Sequence, residues 1–464
     1  MPERLSPLDS SFLFMEELTT AMHVGGLMTF RPPGNEPFDF NAFVQLIGRR
    51  LASEPRYRQK VREVPGRLGL PVWVDDQDFD LDYHVRRSAL PAPGTDAQLR
   101  ELVGRLQSRQ LDRSRPLWEI YLVEGLSDSR FAVVTKTHHA MVDGLASIDI
   151  GAILLDLTPE PRESPPDDWM PVPEPSGVGL VTTALAEQLR RPWTVLDTVR
   201  RAAADARTAV TTAVTTGWAI LDAARSAAKG APPHPLNSRI GQQRRYATSA
   251  GELDDYKAVR KAHGGTVNDV VLAVVAGGLR RWLAGRGEPV LPETTVRALV
   301  PVSVRARAEG GALGNQISGF LVELPIGVPD PVVRLNRISA AMQAHKQSGQ
   351  AIGASALVRL VGLTPPTLHS MGVRLTSSLS SRMFNVVVTN VPGPQFPLYA
   401  MGARMLDMYP VVPLAKGQAV SIGITSFDGG VYYGLNADRD AMGDVDDLAA
   451  AIGESLAELR ATAS

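Results

Sequence analysis

Two hydrophobic patterns recur along the chain, period-two alternation in short apolar runs and helical spacing in longer ones, and together they predict a mixed α/β protein. "FAVVTKT" (Phe131–Thr137) is apolar and β-branched and predicts a strand. "DGLASIDIGAILLDL" opens on an aspartate and spaces its apolar residues as a helix does, so a helix is expected to start near Asp143. Further along, "TVNDVVLAVVAGGLRRWL" predicts a helix capped by Asn268 or Thr266. "VRALVPVSV" predicts a buried strand, and "NQISGFLVELP" and "NVVVTNV" predict two more. "QAVSIGITSFDGGVYYGLNAD" predicts a hairpin that turns at Asp428-Gly429.

Breaks in this pattern divide the chain. Thr158 to Pro175 is dense in proline and acid and reads as a linker. An Ala/Thr/Arg-rich region from Val181 to Lys229 favours helix, and "GAPPHPLN" closes it. The expected organisation is an N-terminal domain over 1–157, a linker and helical connector over 158–245, and a C-terminal domain over 246–464. No short-period repeat is present.

Composition narrows the function. The chain has 464 residues, 44% of them hydrophobic and 21% charged, enough apolar material for more than one core. A net charge of -1 gives no bulk field toward nucleic acid, so none is expected as a partner. The absence of cysteine excludes disulfides, thiolate metal sites and a cysteine nucleophile. The opening "MPERLSPLDS" lacks the apolar run of a signal peptide. The longest uncharged run, Met383 to Ala403, holds Pro392, Pro394 and Pro397, so it predicts a strand and a loop. Any membrane contact is therefore expected to be peripheral.

The candidate chemistry lies in "TKTHHAMVDGLAS", Thr135 to Ser147, at a strand-to-helix corner. On an extended chain His138 and His139 point to opposite faces, which disfavours a shared metal ion. A hydrogen-bonded structural pair and a general base with a supporting neighbour both remain open. Neutral imidazole accepts a proton near pH 7 without much tuning, which suits attack by a hydroxyl. Asp143 would orient the ring or hold the corner through an arginine, and Gly144 permits close backbone approach. No G-x-S-x-G elbow, phosphate-binding loop or dinucleotide turn occurs, so a covalent serine route has no support.

These residues carry a resemblance. "HHAMVDG" matches the HHxxxDG signature of coenzyme A-dependent acyltransferases. "LSPLDSSFLFMEELTTAMHVGGLMTF", "SRPLWEIYLVEGL", "VNDVVLAVVAGGLRRWL", "ALVPVSVR", "GNQISGF" and "NVPGP" follow in an order that resembles the bacterial wax ester synthase/diacylglycerol acyltransferase family nearly end to end.

The resemblance implies two chloramphenicol-acetyltransferase-like mixed-sheet α/β domains, a helical connector, and a tunnel between the domains. It implies acyl-CoA as co-substrate, no cofactor and no metal, and diacylglycerol or a long-chain alcohol as acceptor. His139 would be the base, with His138 packed behind it. Asp143 would be structural, with Arg305 as its candidate partner. Asn268 and Asp269 would shape the site, and Pro116, Leu117 and Trp118 would pack or line the tunnel. A cytoplasmic enzyme at the inner membrane or at lipid droplets is expected. Connector arginines Arg190, Arg191, Arg200, Arg201, Arg207 and Arg225 would face an anionic lipid surface or simply solvent.

Overall fold

The computed structural model describes residues 2–34, 38–142, 150–187, 230–232, 234–303, 317–348, 352–353 and 380–463. Asp143, Gly144, Arg305 and all six connector arginines lie outside these residues.

Two mixed sheets form the core of the molecule. The first has six strands in the order β12-β13-β1-β6-β5-β4. These are β1 (His23–Arg31), β4 (Val85–Ala89), β5 (Trp118–Glu124), β6 (Phe131–His138), β12 (Tyr399–Ala400) and β13 (Ala403–Val411). The second has seven, in the order β10-β9-β8-β11-β14-β15-β7. These are β7 (Arg244–Glu252), β8 (Val296–Ser303), β9 (Ile317–Leu324), β10 (Ile352–Gly353), β11 (Val386–Pro392), β14 (Val420–Phe427) and β15 (Gly430–Asp438). β2 (Gln59–Arg62) and β3 (Val72–Asp75) form a separate pair.

Alternation along β6 explains the layering of the first sheet. Phe131 and Val133 join one apolar cluster with helices α2 (Phe40–Arg50) and α5 (Ile150–Leu154). Ala132 and Val134 join another with α3 (Asp96–Gln107) on the opposite face. The second sheet packs one face against α6 (Leu253–His263), α7 (Val267–Gly285), α8 (Pro331–Ser348) and α9 (Val445–Ala461).

The predicted strands and the hairpin are present, with Phe427 paired to Gly430 across its turn. β8 differs from the expected continuously buried strand. It pairs antiparallel with β9, and only Val296, Ala298 and Val300 face the core, while Arg297, Leu299 and Pro301 are half-exposed. Thr266 rather than Asn268 caps α7, in a reciprocal box: the Thr266 hydroxyl accepts from the Asp269 amide, and the Asp269 carboxylate accepts from the Thr266 amide.

The halves of the chain interlock. β13 enters the first sheet beside β1, seven residues of each pairing antiparallel with a bulge between Thr29 and Phe30. Its Pro410 leans on the β14–β15 hairpin at Gly423 and Gly434, which face each other across that hairpin. A Cβ on Gly434 would lie 1.9 Å from the Pro410 carbonyl oxygen, so only glycine fits there. Pro410 has no amide hydrogen, and its carbonyl accepts from Tyr246 at 2.9 Å. Opposite Pro410 on β1, the Gly26 amide donates to the Thr135 hydroxyl at 3.0 Å.

The proline-rich segment is held down rather than hanging as a spacer. Arg58 grips Asp167 with two contacts of 2.6 and 2.7 Å and lies over the Trp169 ring, and Arg62 meets Glu174 at 2.9 Å. It leads into a helix over 177–187 that buries Leu180 and Ala184 against β3.

A buried ion pair joins three parts of the chain. Arg50, the last residue of α2, contacts both carboxylate oxygens of Asp156 at 2.6 and 2.7 Å. The Asp156 backbone pairs in turn with Tyr399 of β12. Both side chains are almost fully buried, so removing one partner strands the other's charge. We expect Arg50→Ala to lower stability by about 3–5 kcal/mol, read as a lower urea midpoint at unchanged slope. Thr266→Ala, which removes the α7 cap, should cost about 1 kcal/mol in the same measurement.

Candidate active site

β6 delivers the histidine pair to one end of the first sheet. His138 is its last residue and pairs with His23 at the start of β1. The His138 amide donates to the Leu117 carbonyl at 2.9 Å. The helical turn α4 (His139–Val142) begins at once, and the predicted helix start near Asp143 lies outside the described residues. The His139 amide donates to the Met22 carbonyl at 2.8 Å. The change from strand to helix therefore falls between the two histidines and separates their rings.

His138 is fully buried. Its Nδ1 accepts from the Ala140 amide at 3.0 Å, which puts the proton of the neutral ring on Nε2. Nε2 faces the Glu16 carboxylate at 3.7 Å, an electrostatic contact longer than a hydrogen bond. Burial pushes the imidazole below its ordinary range, and Glu16 opposes this only in part, so His138 is neutral at pH 7.

Glu16 is itself tightly held. It accepts from Arg113 Nε at 2.9 Å and Nη2 at 2.6 Å, and from the Met22 amide at 3.1 Å. Burial raises its carboxyl, but His138 and Arg113 outweigh that and bring it down to about 2.

His139 differs from its neighbour in being half-exposed. Its ring stacks on Phe12 with centroids 3.9 Å apart and planes 19° apart. Phe12 lies on helix α1 (Pro7–Met15), which Ser6 caps by accepting from the Asp9 amide. The chain just past α1 meets the C-terminal half, through Glu17 with Lys416 at 2.7 Å and the Thr19 carbonyl with Arg244. The histidine corner thus sits beside the junction of the halves.

Beneath it lie further buried polar groups. Lys136, two residues back on the same face of β6, donates to the Leu106 and Arg109 carbonyls and faces Glu119 at 3.7 Å. Burial brings its ammonium down to about 8, with Glu119 opposing. His23 is pushed well down by burial, and Lys136 adds to that. These groups are enclosed beneath the corner and do not face solvent.

The other predicted residues that the structure describes lie in both halves of the chain. Pro116, Leu117 and Trp118 are all buried. Trp118 donates to the Tyr57 carbonyl at 2.7 Å and stacks on His84, so it packs. Asn268 and Asp269 belong to the second sheet's layer. Asp269 is committed to the α7 cap, while Asn268 Oδ1 accepts from Asn390 of β11 at 3.1 Å. Two surface hollows, of about 660 and 420 Å³, are lined by neither histidine. Among the described residues no cluster of three His, Asp or Glu side chains is arranged to hold a metal ion. The sequence reading missed Phe12, Glu16 and Arg113. The usable signal was the four-residue spacing of Phe12 and Glu16 at the end of a short apolar helix.

Comparison with known proteins agrees with this architecture. The profile described as wax ester synthase/diacylglycerol acyltransferase catalytic domain matches residues 5–271, and the WS/DGAT C-terminal domain matches residues 313–460. A Mycobacterium tuberculosis protein named probable diacylglycerol O-acyltransferase tgs2 is 35% identical, covering 98% of each chain. The one named tgs1 is also 35% identical, over 98% of this chain and 95% of its own. The solved wax ester synthase/diacylglycerol acyltransferase from Marinobacter aquaeolei VT8 is 31% identical over 99% of both chains, with a TM-score of 0.70. A starter condensation domain of rhizomide synthetase shares the fold, at 14% identity and a TM-score of 0.57. The two family matches and the near-complete coverage by these relatives place the chain in the wax ester synthase/diacylglycerol acyltransferase family.

Proposed function

We propose that this acyltransferase moves a fatty acyl group from acyl-CoA to the free hydroxyl of diacylglycerol, giving triacylglycerol, with His139 as general base. The observation that carries the assignment of the base is the asymmetry of the corner. Of two adjacent imidazoles, His139 is partly exposed, while His138 is fully enclosed with Nδ1 accepting from the Ala140 amide.

His139 takes the hydroxyl proton as the oxygen attacks the thioester carbonyl. The tetrahedral oxyanion needs a donor, either a backbone N–H or the Nδ2 group of Asn268, whose Oδ1 end is taken by Asn390. Collapse breaks the carbon–sulfur bond and expels coenzyme A thiolate, to which His139 returns the proton. A tunnel between the halves would hold both substrates in line and keep water from the thioester. Asp143 would secure the corner through an arginine, with Arg305 the candidate.

The names of the two Mycobacterium tuberculosis relatives support diacylglycerol as acceptor. The Marinobacter protein's double name supports a long-chain alcohol as a second one. No described helix is long and apolar enough to cross a membrane. We place the enzyme in the cytoplasm, working peripherally at the inner membrane or a lipid droplet, because substrates this apolar reside there. Exposed Met170, Val172, Val178 and Leu185, on the proline-rich segment and the helix after it, support such a contact.

The test is free-thiol release from palmitoyl-CoA with diacylglycerol, hexadecanol or no acceptor. We expect thiol release to require acceptor and to be faster with diacylglycerol. His139→Ala should lose at least about a hundredfold. His138→Ala should lose less activity and should lower the melting temperature. Equal rates for wild type and His139→Ala would remove the general base from this account.

A further inference from the structure

Helix α1 ends against the histidine corner with two side chains four residues apart, hence on one helical face. Phe12 stacks on His139, and Glu16 faces His138. The two contacts address consecutive residues of the corner from one rigid element. Glu16 closes the last turn, its amide donating to the Phe12 carbonyl at 3.2 Å.

The Glu16 carboxylate also reaches the corner by a second route. It accepts from the Met22 amide, and the Met22 carbonyl accepts from the His139 amide. Arg113 pins the arrangement from outside, giving two hydrogen bonds to the carboxylate and another to the Leu13 carbonyl of α1 at 2.8 Å. His138 is in turn fixed by the Ala140 amide in the same turn that carries His139. Glu16 is therefore the point where α1, β1, β6 and α4 are tied together, and its side chain is nearly sealed from solvent.

We propose that Glu16, held by Arg113, is a positioning residue for the transfer reaction, and that with Phe12 it forms a clamp fixing the orientation of the His139 ring. Glu16 touches no substrate. Its charge selects the His138 tautomer with the proton on Nε2, which leaves Nδ1 to accept from Ala140 and sets the first turn of α4. Phe12 then restricts the His139 ring to one plane. The inference rests on His139 being the base, and it names what keeps that base aimed.

The test compares wild type, Glu16→Gln, Arg113→Gln, Phe12→Leu and His139→Ala in the thiol-release assay. Each variant is normalised to the folded fraction by its melting curve. Glu16→Gln should lower kcat by at least about tenfold, with KM for palmitoyl-CoA and for diacylglycerol each unchanged within about twofold, because misaimed chemistry costs rate and not binding. In histidine-labelled protein, two-bond 1H–15N spectra should show His138 as a single tautomer protonated on Nε2 in wild type, and as a mixture in Glu16→Gln. Arg113→Gln and Phe12→Leu should lower kcat in the same sense by smaller factors, and they carry the test if Glu16→Gln does not fold. Unchanged kcat per folded molecule in these variants, with His139→Ala inactive, would overturn the clamp alone. Full activity in His139→Ala would instead overturn the reading on which it rests.

Discussion

Strand β13 carries the C-terminal half of the chain into the first sheet, and its pairing with β1 fixes where everything around the histidines can sit. β1 lies between β13 and β6, pairing with β13 from Gly25 onward and with β6 from His23, and Met22 directly precedes it. Met22 then holds the His139 amide and the Glu16 carboxylate, and His23 faces His138 across the sheet. The fold-level constraint and the local geometry of the corner are thus one continuous set of backbone bonds. Buried polar contacts of this kind contribute less through their net energy than through the single arrangement they allow.

The two histidines illustrate how one dipeptide supplies two different groups. Chain direction changes between them, which gives one ring to the interior and one to the surface. The interior ring is kept neutral by burial, and a neutral ring with a defined proton is a rigid structural part.

Much of this was legible in the sequence because it rests on local pattern. β6, β11, the β14–β15 hairpin and α7 follow from apolar spacing and turn residues. The histidine corner was visible because two adjacent imidazoles at a strand end are chemically unusual. Other features were not legible, for distinct reasons. No strand is predicted at β13, and apolar alternation fixes faces but says nothing of which sheet receives a strand. The half-exposure of β8 depends on what packs above it. The clasp on the proline-rich segment depends on Arg58 and Arg62, some hundred residues away in the chain. Phe12 and Glu16 read as ordinary residues of a short amphipathic helix until the corner they touch is placed beside them.

The facing glycines of the hairpin have a mechanical meaning. At Gly423 and Gly434 the hairpin has no side chain of its own, and Pro410, Val412 and Tyr246 close directly onto its backbone. A spot so closely apposed has no slack for sliding. It acts as a rivet through both plates. Sliding one sheet against the other would first have to break the contact of Pro410 with these two glycines.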